Sequence, residues 1–339
     1  MRAAEIDAIA EVLGRPVVAV RPLAGGFSHE TCQLTLKGDE RVVVRLGGPD
    51  PGIEAAVMNL ARAHVPVPEV LCVVPTVSDE TRTAMALEYV TGTLLSDVLT
   101  AAGDDTNGMA ELGAEVGRVI AGIGAVTFGQ PGFFTNRDLA VREMPPWSRQ
   151  LPEFAATCMD VTPAERLDAA TRQAWSALCT AHAPALAAID AQARLVHADA
   201  NPKNILATRA GGGWRVDAVL DWEFSFSGSP YADAANMTRF SGDYPSRFTA
   251  GFREGFADHH PASLPRPDDW AYLGRVLDMF ALSDLVTRPL GHPVADQAAA
   301  QIRHWLTHSI PGQLSLLVGS SRPCHLCFTH DYGRGRIYP

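Results

Sequence analysis

Apolar and polar positions alternate through residues 17–46, and three strands are expected there: Val17 to Val20, Thr31 to Leu36 and Arg41 to Leu46. A turn at Gly25-Gly26 and another at Lys37-Gly38-Asp39 separate them, so the segment reads as an antiparallel meander. Asp50 can then cap, and Pro51 start, a helix in which Ile53, Val57, Leu60 and Ala61 recur at helical spacing as far as His64. The prolines of Val65-Pro66-Val67-Pro68 hold the next stretch extended. Thr83 to Val90 reads as a further strand after the polar turn at Ser78-Asp79-Glu80. Thr91-Gly92 breaks the pattern, which places a boundary between a first unit, residues 1–91, and a second, residues 92–339.

The second unit opens helical. Leu112, Val116, Val119, Ile120 and Ile123 form one apolar stripe, and Thr162-Pro163-Ala164-Glu165 has the form of a capping box that opens another helix. After Arg194 the period changes. Leu195-Val196 leads into polar residues, and Ile205-Leu206-Ala207, a Gly211-Gly212-Gly213 turn and alternating Val216, Ala218 and Leu220 read as a hairpin inside a helical body. Helical spacing returns over residues 230–310, with Trp270, Leu273, Leu277 and Phe280 as a stripe, and about 311–339 reads as a tail.

Composition narrows the classes. A chain of 339 residues that is 47% hydrophobic and 19% charged has apolar material for a large core, which argues against disorder. The net charge of −10 opposes binding to nucleic acid or anionic membranes and would attract a cationic substrate. The acidic start at Glu5 and Asp7 lacks the apolar core of a signal peptide, and no apolar run approaches the ~18 residues of a membrane span, so a cytoplasmic location is expected. Cys32, Cys72, Cys158 and Cys179 are scattered singly and read as small buried side chains. Cys324-His325-Leu326-Cys327, with His330, has spacing that could ligate zinc, but no second cysteine pair supports it and a loosely packed tail is the plainer reading. Nothing in the composition fixes an oligomeric state.

The chemistry concentrates in Leu195-Val196-His197-Ala198-Asp199-Ala200-Asn201-Pro202-Lys203-Asn204-Ile205-Leu206 and in Val219-Leu220-Asp221-Trp222-Glu223. Phosphoryl transfer from a nucleotide needs a carboxylate to orient the attacking hydroxyl and oxygen ligands to hold Mg²⁺ against the phosphates. His197-x-Asp199 with Asn204 five residues on, and Asp221 after the next strand, supply residues of those types.

These two segments resemble the H-G-D-x-x-x-x-N loop and D-x-E/D motif of the aminoglycoside phosphotransferase and choline kinase family, distant relatives of protein kinases. The resemblance implies an α+β, bilobal protein-kinase-like fold: a small antiparallel sheet with one helix, residues 1–91, that binds nucleotide, and a larger helical lobe with an embedded hairpin, residues 92–339, that carries catalysis and the acceptor. It implies Asp199 as catalytic base, His197 as its brace in the catalytic loop, Asn204 and Asp221 as Mg²⁺ ligands, and Glu223 as a metal-shell or substrate contact. Gly25, Gly26 and Ser28 resemble the family's phosphate loop. Arg45, paired with Glu54, stands where relatives carry a cation for the α- and β-phosphates, and the backbone from Glu88 through Tyr89 to Val90 resembles the hinge that binds the base of ATP or GTP.

One departure is Ala198, where the family usually has glycine; its Cβ is most easily accommodated at φ < 0. Gly228-Ser229-Pro230-Tyr231-Ala232-Asp233 resembles the family's G-x-P-x-x-D element, with Asp233 supporting the active-site loop. The activity implied is phosphorylation of a small hydroxyl-bearing acceptor, either antibiotic inactivation on an aminoglycoside-like compound or metabolic phosphorylation of an amino alcohol or sugar; an inactive nucleotide-binding module is the rival from another class. Acidic residues in this lobe commonly meet cationic amino-sugars, which nominates Asp243, Asp258, Asp268, Asp269, Asp278 and Asp284, with Trp147, Trp270 and Tyr244 as stacking surfaces.

Overall fold

The computed structural model describes residues 1–23, 30–47, 51–76, 82–102 and 106–311. Gly25, Gly26, Ser28, the capping residue Asp50 and the Cys324/Cys327 tail lie outside the described residues.

Helix α1 (Ala3–Leu13) ends on Gly14 at φ 65°, a left-handed cap that glycine adopts without a Cβ penalty. Strands β1 (Val17–Pro22), β2 (Glu30–Leu36) and β3 (Arg41–Leu46) form the expected meander, and α2 (Pro51–Ala61) follows with Pro51 as its first residue. Strands β4 (Val70–Val74) and β5 (Ala84–Glu88) complete an antiparallel sheet of order β1-β2-β3-β5-β4. The period-2 alternation gives this sheet two apolar faces. Leu34, Leu36, Val42, Val44 and Ala86 pack with Ile9 of α1, whereas Met85 and Leu87 point the other way, into the cluster that includes Val57 and Met58 of α2. Full burial of each such side chain contributes about 1.5–3 kcal/mol, which makes the sheet a firm platform for what its strands carry.

Strand β6 (Thr93–Leu94) and helix α3 (Leu95–Ala101) lead into α4 (Thr106–Ile123), whose predicted stripe is buried. Beyond β7 (Gly132–Phe133) come α5 (Trp147–Val161) and α6 (Ala169–His182), then β8 (Arg194–Val196), the hairpin β9 (Ile205–Ala210) and β10 (Gly213–Val219), and β11 (Phe226–Gly228). Gly211 and Gly212, at φ 64° and 91°, make the tight turn of that hairpin. Helices α7 (Tyr231–Thr238), α8 (Ser246–Asp258), α9 (Trp270–Leu285) and α10 (Pro293–His308) close the described chain. The α+β kinase-like arrangement agrees with the expectation.

Two local readings are corrected. Thr162 does not open a helix; it caps the end of α5, its hydroxyl donating to the Cys158 carbonyl at 2.8 Å, and the next helix starts at Ala169 behind Asp168, which accepts from Thr171 N–H. The i, i+3 polar pattern fitted a cap but did not say which end. Trp147 is no open stacking surface: it is buried among Phe133, Phe226 and Phe280 at ring distances of 5.3–5.9 Å. Helices α4 and α8 also approach so closely that a Cβ on Gly113 would stand 2.2 Å from the Phe248 carbonyl and one on Gly255 2.2 Å from that of Ala114. Glycines four apart on both helices allow this crossing.

Candidate active site

Strand β8 delivers His197 to the interior, where its side chain is fully enclosed. Its Nε2–H donates to the Leu220 carbonyl at 2.9 Å, its Nδ1 accepts the Asp199 N–H at 3.2 Å, and its ring rests on Trp222 at 4.5 Å. Burial pushes its pKa down to about 4, so the imidazole is neutral near pH 7 with both nitrogens engaged. Of the two residues placed together at the catalytic step, His197 is therefore a brace that ties the loop after β8 to the end of β10, and not a group that reaches solvent.

Asp199 follows on that loop. Asn201 Nδ2 donates to its Oδ1 at 2.9 Å, and Asn204 Nδ2 donates to its Oδ2 at 2.8 Å and to its carbonyl at 2.9 Å. Burial, and next the charge of Asp221, raise its pKa to about 6, against the opposing pull of Arg239 and the two amides. Such a carboxylate is ionised at neutral pH yet keeps more proton affinity than an exposed one.

Ala198 corrects the expectation of a negative φ: it sits at +70°. The loop is held there from outside. Buried Asp233 accepts the His197 N–H at 2.8 Å and the Ala198 N–H at 2.9 Å, while Asn236 Nδ2 donates to the Ala198 carbonyl at 2.7 Å. Three hydrogen bonds outweigh the ~1–2 kcal/mol that a left-handed residue with a Cβ costs. Burial raises the Asp233 pKa to about 7, opposed by its two backbone donors.

Asp221, also left-handed at φ 66°, stands at the end of β10. Its Oδ1 accepts Arg45 Nη2 at 2.7 Å, and Arg45, from the end of β3, also forms an ion pair with Glu54 of α2 through Nη1. Glu54 is 6% exposed and further accepts the Trp222 N–H at 3.1 Å. Burial works against the charge on Arg45, but Glu54, Asp221 and half-buried Glu223 more than offset it and its pKa stands above the ordinary value. Burial raises that of Glu54, with Arg45 opposing. Asp199, Asn204, Asp221, Arg45, Glu54 and Glu223 are thus brought together from β3, α2, the loop after β8 and the end of β10.

The hinge residues are less uniform. The Glu88 N–H donates to the Glu69 carbonyl at 2.9 Å and its carboxylate accepts the Glu69 N–H, so any contact of Glu88 with a purine edge would come from its carbonyl. Tyr89 carries the Arg41 guanidinium over its ring at 4.1 Å, and Val90 follows outside any strand.

The donor set suits a hard divalent cation. Asn204 turns its Nδ2 to Asp199, which leaves Oδ1 facing away from that carboxylate, and Asp221 engages Arg45 through Oδ1. One amide and one carboxylate oxygen beside a triphosphate match magnesium, which keeps water and phosphate in its remaining positions. Among the described residues no cluster of three His, Cys, Asp or Glu forms an all-protein metal cage.

A model of a phosphotransferase enzyme family matches residues 19–270. The chain belongs to that phosphotransferase family. As a family member it is a nucleotide-dependent phosphotransferase acting on hydroxyl groups. No curated protein matches the chain. Among solved structures, its fold is similar to the aminoglycoside phosphotransferase APH(4)-Ia in ternary complex with ADP and hygromycin B, at 19% identity and TM-score 0.64, covering 90% of this chain and 98% of that one. It is also similar to a GDP and kanamycin complex of APH(2")-IIIa (17% identity, TM-score 0.61, 91% and 98% covered). A putative aminoglycoside phosphotransferase from Ralstonia eutropha JMP134 matches at 18% identity and TM-score 0.60, with 89% and 98% covered.

For this phosphotransferase several residues near the site were not singled out by sequence. Arg239 lies close enough to Asp199 to lower its pKa, and is itself fixed by Asp278, Nε donating to Oδ1 at 2.9 Å and Nη2 to Oδ1 at 2.6 Å. Asp278 is therefore a buried ion-pair partner and not an open acceptor contact. Asn236 follows Asp233 at i+3 on α7, a helical spacing that was the available signal for it; Arg239, at the end of the helix, gave none. Of the other acidic candidates, Asp243, Asp258 and Asp268 are exposed and Asp269 and Asp284 half-buried; Trp270 and Tyr244 are half-buried. No helix of the described residues is long and apolar enough to cross a membrane.

Proposed function

We propose that this phosphotransferase moves the γ-phosphoryl group of ATP or GTP to a hydroxyl of an aminoglycoside-like antibiotic or related small natural product. The observation that carries the reading is Asp199: a half-buried carboxylate of raised pKa, oriented by two asparagine amides and adjoining the Arg45–Asp221 pair. In this reading residues 1–91 hold the nucleotide and residues 92–339 supply catalysis and the acceptor surface. Tyr89 and Val90 meet the base, and Arg45, anchored by Glu54, meets the α- and β-phosphates. Asn204 and Asp221 hold Mg²⁺, with Glu223 nearby; the ion when bound neutralises charge on the phosphate oxygens.

Asp199 accepts the acceptor's hydroxyl proton as the oxygen attacks the γ-phosphorus and the bond to the β–γ bridging oxygen breaks, releasing ADP or GDP. Its orientation by Asn201 and Asn204 fixes which lone pair faces the acceptor, and His197 and Asp233 hold the backbone beneath it. A net charge of −10 and the hygromycin B and kanamycin in the similar structures favour a cationic acceptor.

The test supplies γ-labelled ATP or GTP and Mg²⁺ with aminoglycosides, macrolides, peptide antibiotics, amino alcohols and neutral polyols. Label is expected on a cationic aminoglycoside-like acceptor, at a rate that falls with added salt. Label only on a neutral polyol, at a salt-independent rate, would refute the acceptor class; bound nucleotide with no labelled acceptor would refute the transfer itself.

A further inference from the structure

Helix α7 has two working faces. At 100° per residue, Asp233, Asn236 and Met237 share the side that holds the catalytic loop, and Tyr231, Ala234 and Thr238 share the opposite side. That opposite side borders a cavity of about 140 Å³ shared with α8 and α9, whose walls include Tyr231, Thr238, Phe252, Trp270, Arg253 and Arg275. Gly274 admits the close approach of α9, since a Cβ there would stand 2.7 Å from the Tyr231 carbonyl.

Among the described residues, Arg275 has no carboxylate hydrogen-bonded to it. It is 6% exposed, and its hydrogen bond is a long one, 3.4 Å from Nη1 to the Ala235 carbonyl. Asp278, one turn along α9, has both carboxylate oxygens taken by Arg239. Asp278 attracts Arg275 from a distance but is hydrogen-bonded to Arg239, and Arg253 and Arg239 act on Arg275 as like charges. A buried charge whose nearest counter-charge is hydrogen-bonded elsewhere is costly. A guanidinium of five donors matches a carboxylate in a bidentate fork, and the aromatic walls match a flat apolar body. The cavity is close to the 150 Å³ of an engineered cavity that holds benzene.

We propose that the cavity between α7, α8 and α9 is a second ligand site, separate from the transfer site, that takes a monocyclic aromatic carboxylate with its carboxylate on Arg275 and its ring against the apolar wall that includes Phe252, Trp270 and Tyr231. Benzoate is the probe. Calorimetric titration of the full chain should show one site with a Kd of about a millimolar or tighter, and benzyl alcohol, of the same shape without the charge, should bind at least tenfold more weakly. Arg275→Met should weaken benzoate at least tenfold and, by removing an uncompensated charge, raise the melting temperature of the ligand-free chain. Ala271→Leu narrows the half-buried cavity rim and leaves Arg275 in place; it too should abolish binding, which keeps the test decisive if Arg275→Met misfolds. No benzoate heat at 10 mM, equal binding of benzyl alcohol, or undiminished binding by Ala271→Leu would each overturn the assignment.

Discussion

The loop carrying Asp199 and the charged cluster around Arg45 adjoin, yet they are built in opposite ways. Asp199 takes its side-chain bonds from residues two and five positions away, all neutral amides, and neutral His197 accepts its N–H. Arg45 meets Asp221 across 176 positions, and Glu54 meets Trp222 across 168, through charge buried between strand, helix and loop. Local neutral bonds fix the direction of a lone pair. Distant ion pairs instead tie the sheet to the loop, so their loss should appear first in stability.

The largest expected effect is on the loop. Asp199→Asn should lower kcat by about 10²–10⁴ while nucleotide binding is retained. The same carboxylate sets the acid limb of wild-type kcat/KM. Because it must be ionised to accept a proton and its pKa is raised to about 6, activity should fall with slope one as pH drops through about 6. A limb centred at the ordinary carboxylate pKa near 4 would remove Asp199 as the titrating base.

The cluster comes next. Glu54→Gln or Arg45→Met should each cost about 3–5 kcal/mol in urea unfolding, since either leaves a buried charge unpaired, and the double variant should cost less than the sum. Additive losses would mean that the pair does not couple the two regions. Asp233→Asn, which exchanges one of two acceptors for a donor against the His197 and Ala198 N–H groups, should cost about 1–3 kcal/mol and lower kcat more than it raises nucleotide KM. Unchanged kcat at reduced stability would show that the loop holds its shape without Asp233.

The smallest effect has the opposite sign. Ala198→Gly should stabilise by up to about 1 kcal/mol, because glycine adopts φ +70° without the Cβ contact, less its greater entropy unfolded. A loss of stability would mean that the Ala198 side chain packs well enough to offset its strain.

The contrast also explains what could be read in advance. Strands, the α4 stripe and the β9–β10 hairpin follow from local period and turn chemistry, which neighbouring residues set. The 197–204 loop was legible for the same reason, its partners being contiguous. Arg45 with Glu54 was visible only through resemblance, and Arg239 with Asp278 was not seen, because a pairing across 39 residues leaves no local trace. Thr162 shows the converse error, a local pattern that fits either end of a helix.

By itself the sequence determined which segments alternate, which coil, and that Asp199, Asn204 and Asp221 supply residue types suited to phosphoryl transfer. Tertiary structure alone decided that His197 is sealed and neutral, that Ala198 is left-handed, that the Glu88 amide is taken by the Glu69 carbonyl and that Arg275 is buried with no carboxylate hydrogen-bonded to it among the described residues. Each of those depends on burial and on partners brought from distant segments, and desolvation acts on a side chain only once the chain has closed around it.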